Sequence, residues 1–403
     1  MAEVALGFSA RIGRTALAAT FEMAARARAL RAAGHDVISL SLGEPDFPTP
    51  PHVVQAAHEA ALRGETRYPP LAGTEALRQA VAHKYRREQR LDIAPADVLV
   101  TNGGKQAIFN VVMALVQAGD EVVIPAPAWA GYEQTVRFAG GLPVFAACPQ
   151  AQDFVLTPAA LEAAITPRTT LLILNYPNNP TGAAIDAAGL AGLAEVIRRH
   201  PHVTVLSDDI YEHLLFEGEY ATLAAVAPDL APRVLTLTGV SKSYAMTGWR
   251  VGFLAGPPDL IRACTVVQAT ATSGVCAIAQ AAAVAALTGD QSHLASRAAA
   301  FAARRDLVLA GLEAAPGLQC VCPHGAFYVF PDISGCLGKT TPGGRRLATD
   351  ADFAMALLEE AYVGTVQGAA FAASPHIRLS TASDEATLTQ ACHRIAAFCG
   401  SLR

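Results

Sequence analysis

Between Val98 and Ala255 the sequence repeats one rhythm, in which a short apolar run is followed by a turn and then by a helical pattern. Segments 98–101, 121–124, 171–174, 203–206, 234–237 and 253–255 read as strands, and 106–117 and 188–199 as helices. The run 171–174 is apolar at every position, as in a strand covered on both faces. Strands alternating with helices call for an α/β architecture with a largely parallel sheet, whose ligands gather at the carboxyl ends of the strands. After Pro258, helical patterns cover 258–287 and 293–314; 326–330 and 377–380 then read as strands and 385–399 as a closing helix. This tail predicts a smaller α+β domain, with the chain start packed on it.

The chain has 403 residues, 52% of them hydrophobic, which is enough for a large core and two or three domains. A net charge of −5 without a basic block argues against a nucleic-acid partner. No apolar stretch is long enough to span a bilayer; the alanine-rich run 277–287 is short and holds Gln280. The arginine- and alanine-rich start contains Glu22 and no hydrophobic segment with a cleavage site, so an N-terminal arm and helix of a cytoplasmic protein are expected. Eight scattered cysteines form no CxxC pair and the eleven histidines no HExxH, so buried thiols and no metal site are expected.

The chemistry concentrates in Gly239-Val240-Ser241-Lys242-Ser243-Tyr244-Ala245-Met246-Thr247-Gly248-Trp249-Arg250. A lysine among small residues at a strand end is a candidate Schiff-base nucleophile. An arginine shortly after it is a candidate phosphate clamp, because its planar fork binds an anion bidentately. An aldehyde and a phosphate on one cofactor mean pyridoxal 5'-phosphate. Three further strand ends carry related signals. Thr101-Asn102-Gly103-Gly104-Lys105 is a glycine turn before a helix, a place where free N–H groups cup an anion, although many strand-to-helix turns look alike. Asn178-Asn179-Pro180-Thr181-Gly182 is more specific, even though each of its residues is a common turn former. Ser207-Asp208-Asp209-Ile210-Tyr211 puts a carboxylate after a buried strand, where it is either a helix cap or the partner of a protonated ring nitrogen.

Together these runs resemble the class I/II pyridoxal-phosphate-dependent aminotransferases of fold type I, the aspartate aminotransferase family, with the motifs in the family's order from about Arg14 to the C-terminus. The resemblance implies a large domain with a mainly parallel seven-stranded sheet and a smaller α+β domain. The expected division is 1–45 for the N-terminal arm and part of the small domain, 46–290 for the large cofactor domain and 291–403 for the small C-terminal domain. It implies a ping-pong aminotransferase moving the amino group of an L-amino acid to a 2-oxo acid through an internal aldimine and pyridoxamine phosphate. β-Elimination or oxidation of an amino acid on the same fold is the alternative. A cofactor-sensing regulator would need a DNA-binding extension, and no basic helix-turn-helix pattern is found.

Residue by residue, the resemblance assigns Lys242 as the Schiff-base lysine and proton carrier, Asp208 to the ring nitrogen and Tyr211 to the phenolic oxygen. Gly104 and Lys105 would meet the phosphate through their amides, and Arg250 through its side chain. Trp129 would stack on the ring, and Asn179 would reach the phenolic oxygen and the substrate carboxylate. Arg378 would grip that carboxylate, with Gly43 as a backbone contact. Tyr68 would reach the phosphate in a partner subunit, which implies a homodimer with shared active sites. Departures are Asp209 for a more usual glutamate, Gly239 where relatives often have a serine phosphate ligand, Ala128 where tyrosine is frequent, and Gln367 in the loop expected at the substrate entrance. No second cation for a side-chain carboxylate stands out, and Met113 and Ala128 hint at a pocket that tolerates apolar groups.

Overall fold

The structure is a computed structural model and describes residues 7–15 and 19–403. Positions 1–6 and 16–18, within the expected N-terminal arm, lie outside the described residues. Seven strands form the main sheet: β1 (Val98–Thr101), β2 (Glu121–Ala126), β3 (Leu142–Ala147), β4 (Thr169–Asn175), β5 (Thr204–Asp208), β6 (Val234–Gly239) and β7 (Gly252–Ala255). Their spatial order is β1-β7-β6-β5-β4-β2-β3. The pairs among β2 to β6 are parallel, and β7 runs antiparallel to both β6 and β1. Central strands are buried at nearly every position, as continuous apolar runs require. The edge strand β3 instead exposes Leu142 and Phe145 and carries Pro143, which has no N–H to give to a ladder.

Helices Gly104–Leu115, Ala130–Ala139 and Ala187–Arg199 cross between the strands. Sequence-local side-chain caps start the last of these and two other helices, Glu75–Gln89 and Glu385–Ser401: Asp186 accepts from the Gly189 amide, Thr74 from Leu77 and Asp384 from Thr387. Thr349 and Asp352 form a reciprocal capping box on helix Asp350–Glu360.

Two expectations are corrected. The helical pattern 258–287 is broken into Pro258–Ala271 and Ala277–Thr288. Ser273 adopts a left-handed conformation (φ 61°), and Gly274 lies against Pro69 and Pro70, where a Cβ would be 3.2 Å from both. The break brings the Thr272 hydroxyl to the side chains of Asn102 and Gln106, at the turn after β1. The expected strand 326–330 shrinks to Tyr328–Val329, because Ala326 is left-handed (φ 55°).

Away from the main sheet, Ile38–Ser39 pairs in parallel with Val363–Gly364, and Ile377–Ser380 pairs antiparallel with Tyr328–Val329 and Val366–Gln367. One apolar cluster joins Met23, Val37, Ile38 and Leu40 to Val308, Phe353, Leu357, Ile377, Leu379 and Ile395. The start of the chain and its last hundred residues therefore share a core, separate from the clusters flanking the main sheet.

Candidate active site

The carboxyl ends of β4, β5 and β6 and the turns after β1 and β2 open into one cavity of about 400 Å³. Gly43, Gly104, Lys105, Trp129, Asn179, Asp208, Tyr211, Lys242, Arg250 and Arg378 all line it. Residues more than three hundred positions apart converge because the segment after Ile38–Ser39 and the strand Ile377–Ser380 reach across the sheet ends: the Ser380 amide donates to the Leu40 carbonyl at 2.9 Å.

At one end the cavity brings a helix start and an arginine together, groups that suit an anion. Gly103, at φ 78°, turns the chain into helix Gly104–Leu115, whose first amides have no intrahelical acceptor. A Cβ on Gly103 would meet the Arg250 guanidinium at 2.5 Å, so the side chain of Arg250 is pressed against this turn. Arg250 Nη1 donates to the Thr247 carbonyl at 2.8 Å and Nη2 to the Asn102 carbonyl at 3.3 Å. Beneath the turn, a Cβ on Gly252 would lie 2.7 Å from the Gly103 carbon and the Gly104 nitrogen. Gly239 leaves no room for a larger residue without adjustment, since a Cβ would stand 3.1 Å from Gly252 Cα. The hydroxyl lost there has a counterpart in Ser241, which lines the cavity.

Lys242 Nζ donates to the Gly43 carbonyl at 2.5 Å. Burial, followed by the nearby Arg378 charge, pulls its pKa down from 10.5 to about 8, which raises the fraction of free amine near neutrality. Asp208 is buried at the end of β5, and desolvation pushes its carboxyl up to about 6. Its ionised form is favoured by the Tyr132 hydroxyl, which donates at 2.6 Å, and by the Ile210 amide at 3.3 Å. Tyr132 also stands edge-on to Trp129, with ring centroids 5.2 Å apart. The next residue after Asp208 points elsewhere: Asp209 is buried with Ser207, which donates to it at 2.7 Å, and burial raises it to about 7.

On the opposite wall Arg378 is 3% exposed. Its Nη1 donates to Asn179 Oδ1 at 2.9 Å and its Nη2 to the Ser41 carbonyl at 2.7 Å, while its Nε is buried without a partner. The guanidinium is stacked between the rings of Tyr328 (4.6 Å) and Phe371 (4.9 Å). Asn179 is held through its amide by Asn175 Oδ1, and Asn175 in turn donates to the Asp208 carbonyl. With its oxygen occupied by Arg378, Asn179 keeps its NH₂ as the group free to donate. Tyr211 and Tyr328 share a hydroxyl–hydroxyl hydrogen bond of 2.9 Å.

Several members of this site escaped sequence reasoning. Tyr132 follows Trp129 by one helical turn, and that spacing was the available signal. Ser241 sits inside the singled-out lysine segment, whereas nothing local marks Tyr328. Lys105 was expected to act through its amide, yet its side chain also lines the cavity, with Nζ 5.7 Å from the Trp129 ring. Conversely, Ala128, Met113 and Gln367 are not among the lining residues, so the hint of an apolar-tolerant pocket at Met113 and Ala128 finds no support in the geometry. Gln367 instead pairs with Ile377 in the small sheet. Tyr68 is 98% exposed and lies outside this chain's own cavity.

Among the described residues, one cluster has ligand atoms close enough for a metal: Glu88, Glu212 and His213. A cation is already built into it, for Lys84 Nζ lies 2.6 Å from Glu212 and 2.8 Å from Glu88. The cluster ties helix Glu75–Gln89 to the turn that carries Asp208 and Tyr211, and Thr238 of β6 donates to Glu212 at 2.5 Å.

Residues 35–395 match the family model described as aminotransferase class I and II. Over 384 residues the chain is 50% identical to an aspartate/prephenate aminotransferase of Cereibacter sphaeroides, covering 95% of this chain and 96% of the relative. Over 395 residues it is 49% identical to an aspartate aminotransferase of Rhizobium meliloti, covering 98% and 96%. Among solved structures, the aspartate aminotransferase from Rhizobium meliloti superposes with a TM-score of 0.96 at 48% identity, covering 99% of this chain and all of the other. The Thermus thermophilus aspartate aminotransferase with maleate gives 0.90 at 41% identity, covering 98% of this chain and 100% of the other.

Proposed function

The chain belongs to the class I and II aminotransferase family, and on that premise we propose that it is an aminotransferase for dicarboxylic amino acids of the aspartate type, with pyridoxal phosphate as its cofactor. The observation that carries the substrate class is the cation set of the cavity: Lys105, Lys242, Arg250 and Arg378. Lys242 is the amine that the cofactor needs, Arg250 abuts the anion turn, and Arg378 keeps an unpaired buried donor for an α-carboxylate. Lys105 is left for a second carboxylate. The names of the relatives, aspartate and aspartate/prephenate aminotransferase, point the same way, as does maleate, a dicarboxylate, with the Thermus thermophilus enzyme.

The donor set fits this cofactor. The Gly103–Lys105 turn, Ser241 and Arg250 would hold its phosphate, Asp208 its ring nitrogen, Tyr211 and Asn179 its phenolic oxygen, and Trp129 one ring face. When bound, the cofactor supplies an aldehyde for the lysine amine and a pyridinium ring that takes up the electron pair left on the substrate Cα. The remaining work belongs to the chain. Arg378 and Asn179 fix the α-carboxylate, which sets the direction of the Cα–H bond. Lys242, its pKa brought down to about 8, would take the proton from the substrate Cα and deliver it to the former aldehyde carbon of the cofactor, which leaves the amino group on the cofactor. Asp208, ionised with the help of Tyr132, keeps the ring nitrogen protonated. The Gly43 carbonyl holds the lysine ammonium until the cofactor arrives.

The same proposal includes the division into 1–45, 46–290 and 291–403, supported by the core shared between the chain start and its end. It includes homodimeric assembly with shared sites, which would give the exposed Tyr68 an acceptor, and a cytoplasmic location, which suits eight free thiols. A donor panel separates the readings. Aspartate should react at least tenfold faster than a monocarboxylic amino acid of similar size. Pyruvate and ammonia appearing without an amino acceptor would mean β-elimination instead.

A further inference from the structure

Tyr328 is absorbed by none of the roles above, yet it touches three of the residues that have one. Its hydroxyl is 2.9 Å from that of Tyr211, its ring carries the Arg378 guanidinium at 4.6 Å, and a Cβ on Gly43 would stand 2.4 Å from its oxygen. It is 2% exposed and belongs to the small sheet, next to the strand that bears Arg378. Tyr211 belongs to the turn after β5. The hydroxyl pair is therefore a direct link between the carboxylate wall and the cofactor wall.

We propose that Tyr328 is a positioning residue that fixes the proton of Tyr211 toward the cofactor and couples that bond to the occupancy of Arg378. The inference rests on the aminotransferase reading. A phenol has one proton, and two hydroxyls in contact must share roles. If Tyr211 donates to the phenolic oxygen of the cofactor, Tyr328 donates to Tyr211. The alternative orientation, with Tyr211 donating to Tyr328, leaves the cofactor oxygen without this donor. The stacked guanidinium favours the productive orientation, because a cation over the ring face makes the Tyr328 phenol a stronger donor. A carboxylate bound at Arg378 offsets part of that charge and weakens the donation. Other charges facing the pair are Lys242, whose Nζ lies 5.8 Å from the Tyr211 ring centroid, and Asp208 at the end of β5. Neither makes a direct bond to either hydroxyl; Arg378 is the cation over the Tyr328 ring, and Lys242, the amine that the cofactor engages, faces the Tyr211 ring.

The test follows the pH midpoint of the visible absorbance change of the cofactor bound to the full-length protein, with and without maleate as an unreactive dicarboxylate. A donor bond to the phenolic oxygen draws charge from it and loosens the neighbouring imine proton, so its loss raises the midpoint. Tyr328→Phe should raise the midpoint by about half a pH unit and shrink the shift caused by maleate. In a Tyr211→Phe background the same substitution should leave the midpoint unmoved, because the effect travels through Tyr211. An unmoved midpoint in the single variant, or an equal shift in the Tyr211→Phe background, overturns the proposal. So does an upshift in which the maleate response keeps its full size. A parent protein without any cofactor band overturns the aminotransferase reading itself, and the inference with it; a normal parent band with an unresponsive variant overturns the inference alone.

Discussion

The amine of Lys242 is docked 2.5 Å from the carbonyl oxygen of Gly43, in a cavity that it shares with Arg378 and Arg250. Burial and the two neighbouring arginines make its charged form expensive, and the Glu44 and Asp208 carboxylates only partly compensate. That cost gives a prediction that needs no cofactor. The folded pKa of about 8 lies below the ordinary 10.5, so the penalty is present below pH 8 and relieved as pH rises toward 10.5. Lys242→Met in cofactor-free protein should be more stable than the parent at pH 7, by on the order of 3 kcal/mol at about 1.4 kcal/mol per unit. The advantage should vanish above about pH 10. Denaturant midpoints across pH 6 to 10.5 check this, and the same variant should lose turnover.

Asp208 behaves in the opposite sense. Its folded pKa of about 6 is above the ordinary 3.8, so stability is complete below about pH 4 and is lost as pH rises through 6. Asp208→Asn in cofactor-free protein should therefore gain in melting temperature relative to the parent between pH 4 and 7. With cofactor, the variant should bind weakly and lose at least about a hundredfold in rate, since the ring nitrogen no longer faces a charge.

Tyr132→Phe removes the 2.6 Å donor to Asp208 while keeping the ring against Trp129. Asp208 should then ionise at higher pH, and the acid limb of the rate profile should move up with it. A loss of roughly tenfold in the amino-donor half-reaction is expected, carried by the rate constant more than by donor affinity.

Arg378→Lys keeps the charge and removes the fork. One of two charge-assisted bonds to the α-carboxylate is lost, worth about 1.5–3 kcal/mol, so kcat/KM should fall by roughly ten- to a hundredfold for every amino acid. Lys105→Ala should discriminate instead: the loss should be confined to dicarboxylic substrates, with a monocarboxylic donor unaffected. Equal losses for both donor classes would remove Lys105 from the proposed subsite.

Gly252→Ala tests the floor of the anion turn. A methyl group 2.7 Å from the Gly103–Gly104 backbone must displace that turn, at a cost of about 1–3 kcal/mol. Cofactor affinity should fall more than the melting temperature, because the displaced amides face the cavity.

The α/β rhythm was legible because buried central strands are largely apolar: 171–174, apolar at every position, lies inside β4, and 234–237, interrupted only by Thr236, lies inside β6. The strand-end motifs were legible because each carries its chemistry within a few residues. What stayed hidden depends on contacts between distant segments. The break at Ser273 goes with the close approach of Gly274 to Pro69 and Pro70, which no periodicity encodes. Tyr328 reaches Tyr211 across 117 positions, and the side chain of Lys105 enters the cavity from a turn read only for its backbone. Gln367, expected in the entrance loop, pairs with Ile377 in the small sheet, a pairing that its own neighbours in sequence do not announce.

The most direct measurement is a titration of the purified, cofactor-loaded protein with L-aspartate in the absence of any oxo acid, followed by absorbance and by assay of the oxo acid released. The account predicts that the visible band of the lysine-bound cofactor is lost and that one oxaloacetate is released per site, with Lys242→Ala inert. A band that persists at saturating aspartate, or aspartate consumed without a matching oxo acid, would contradict it.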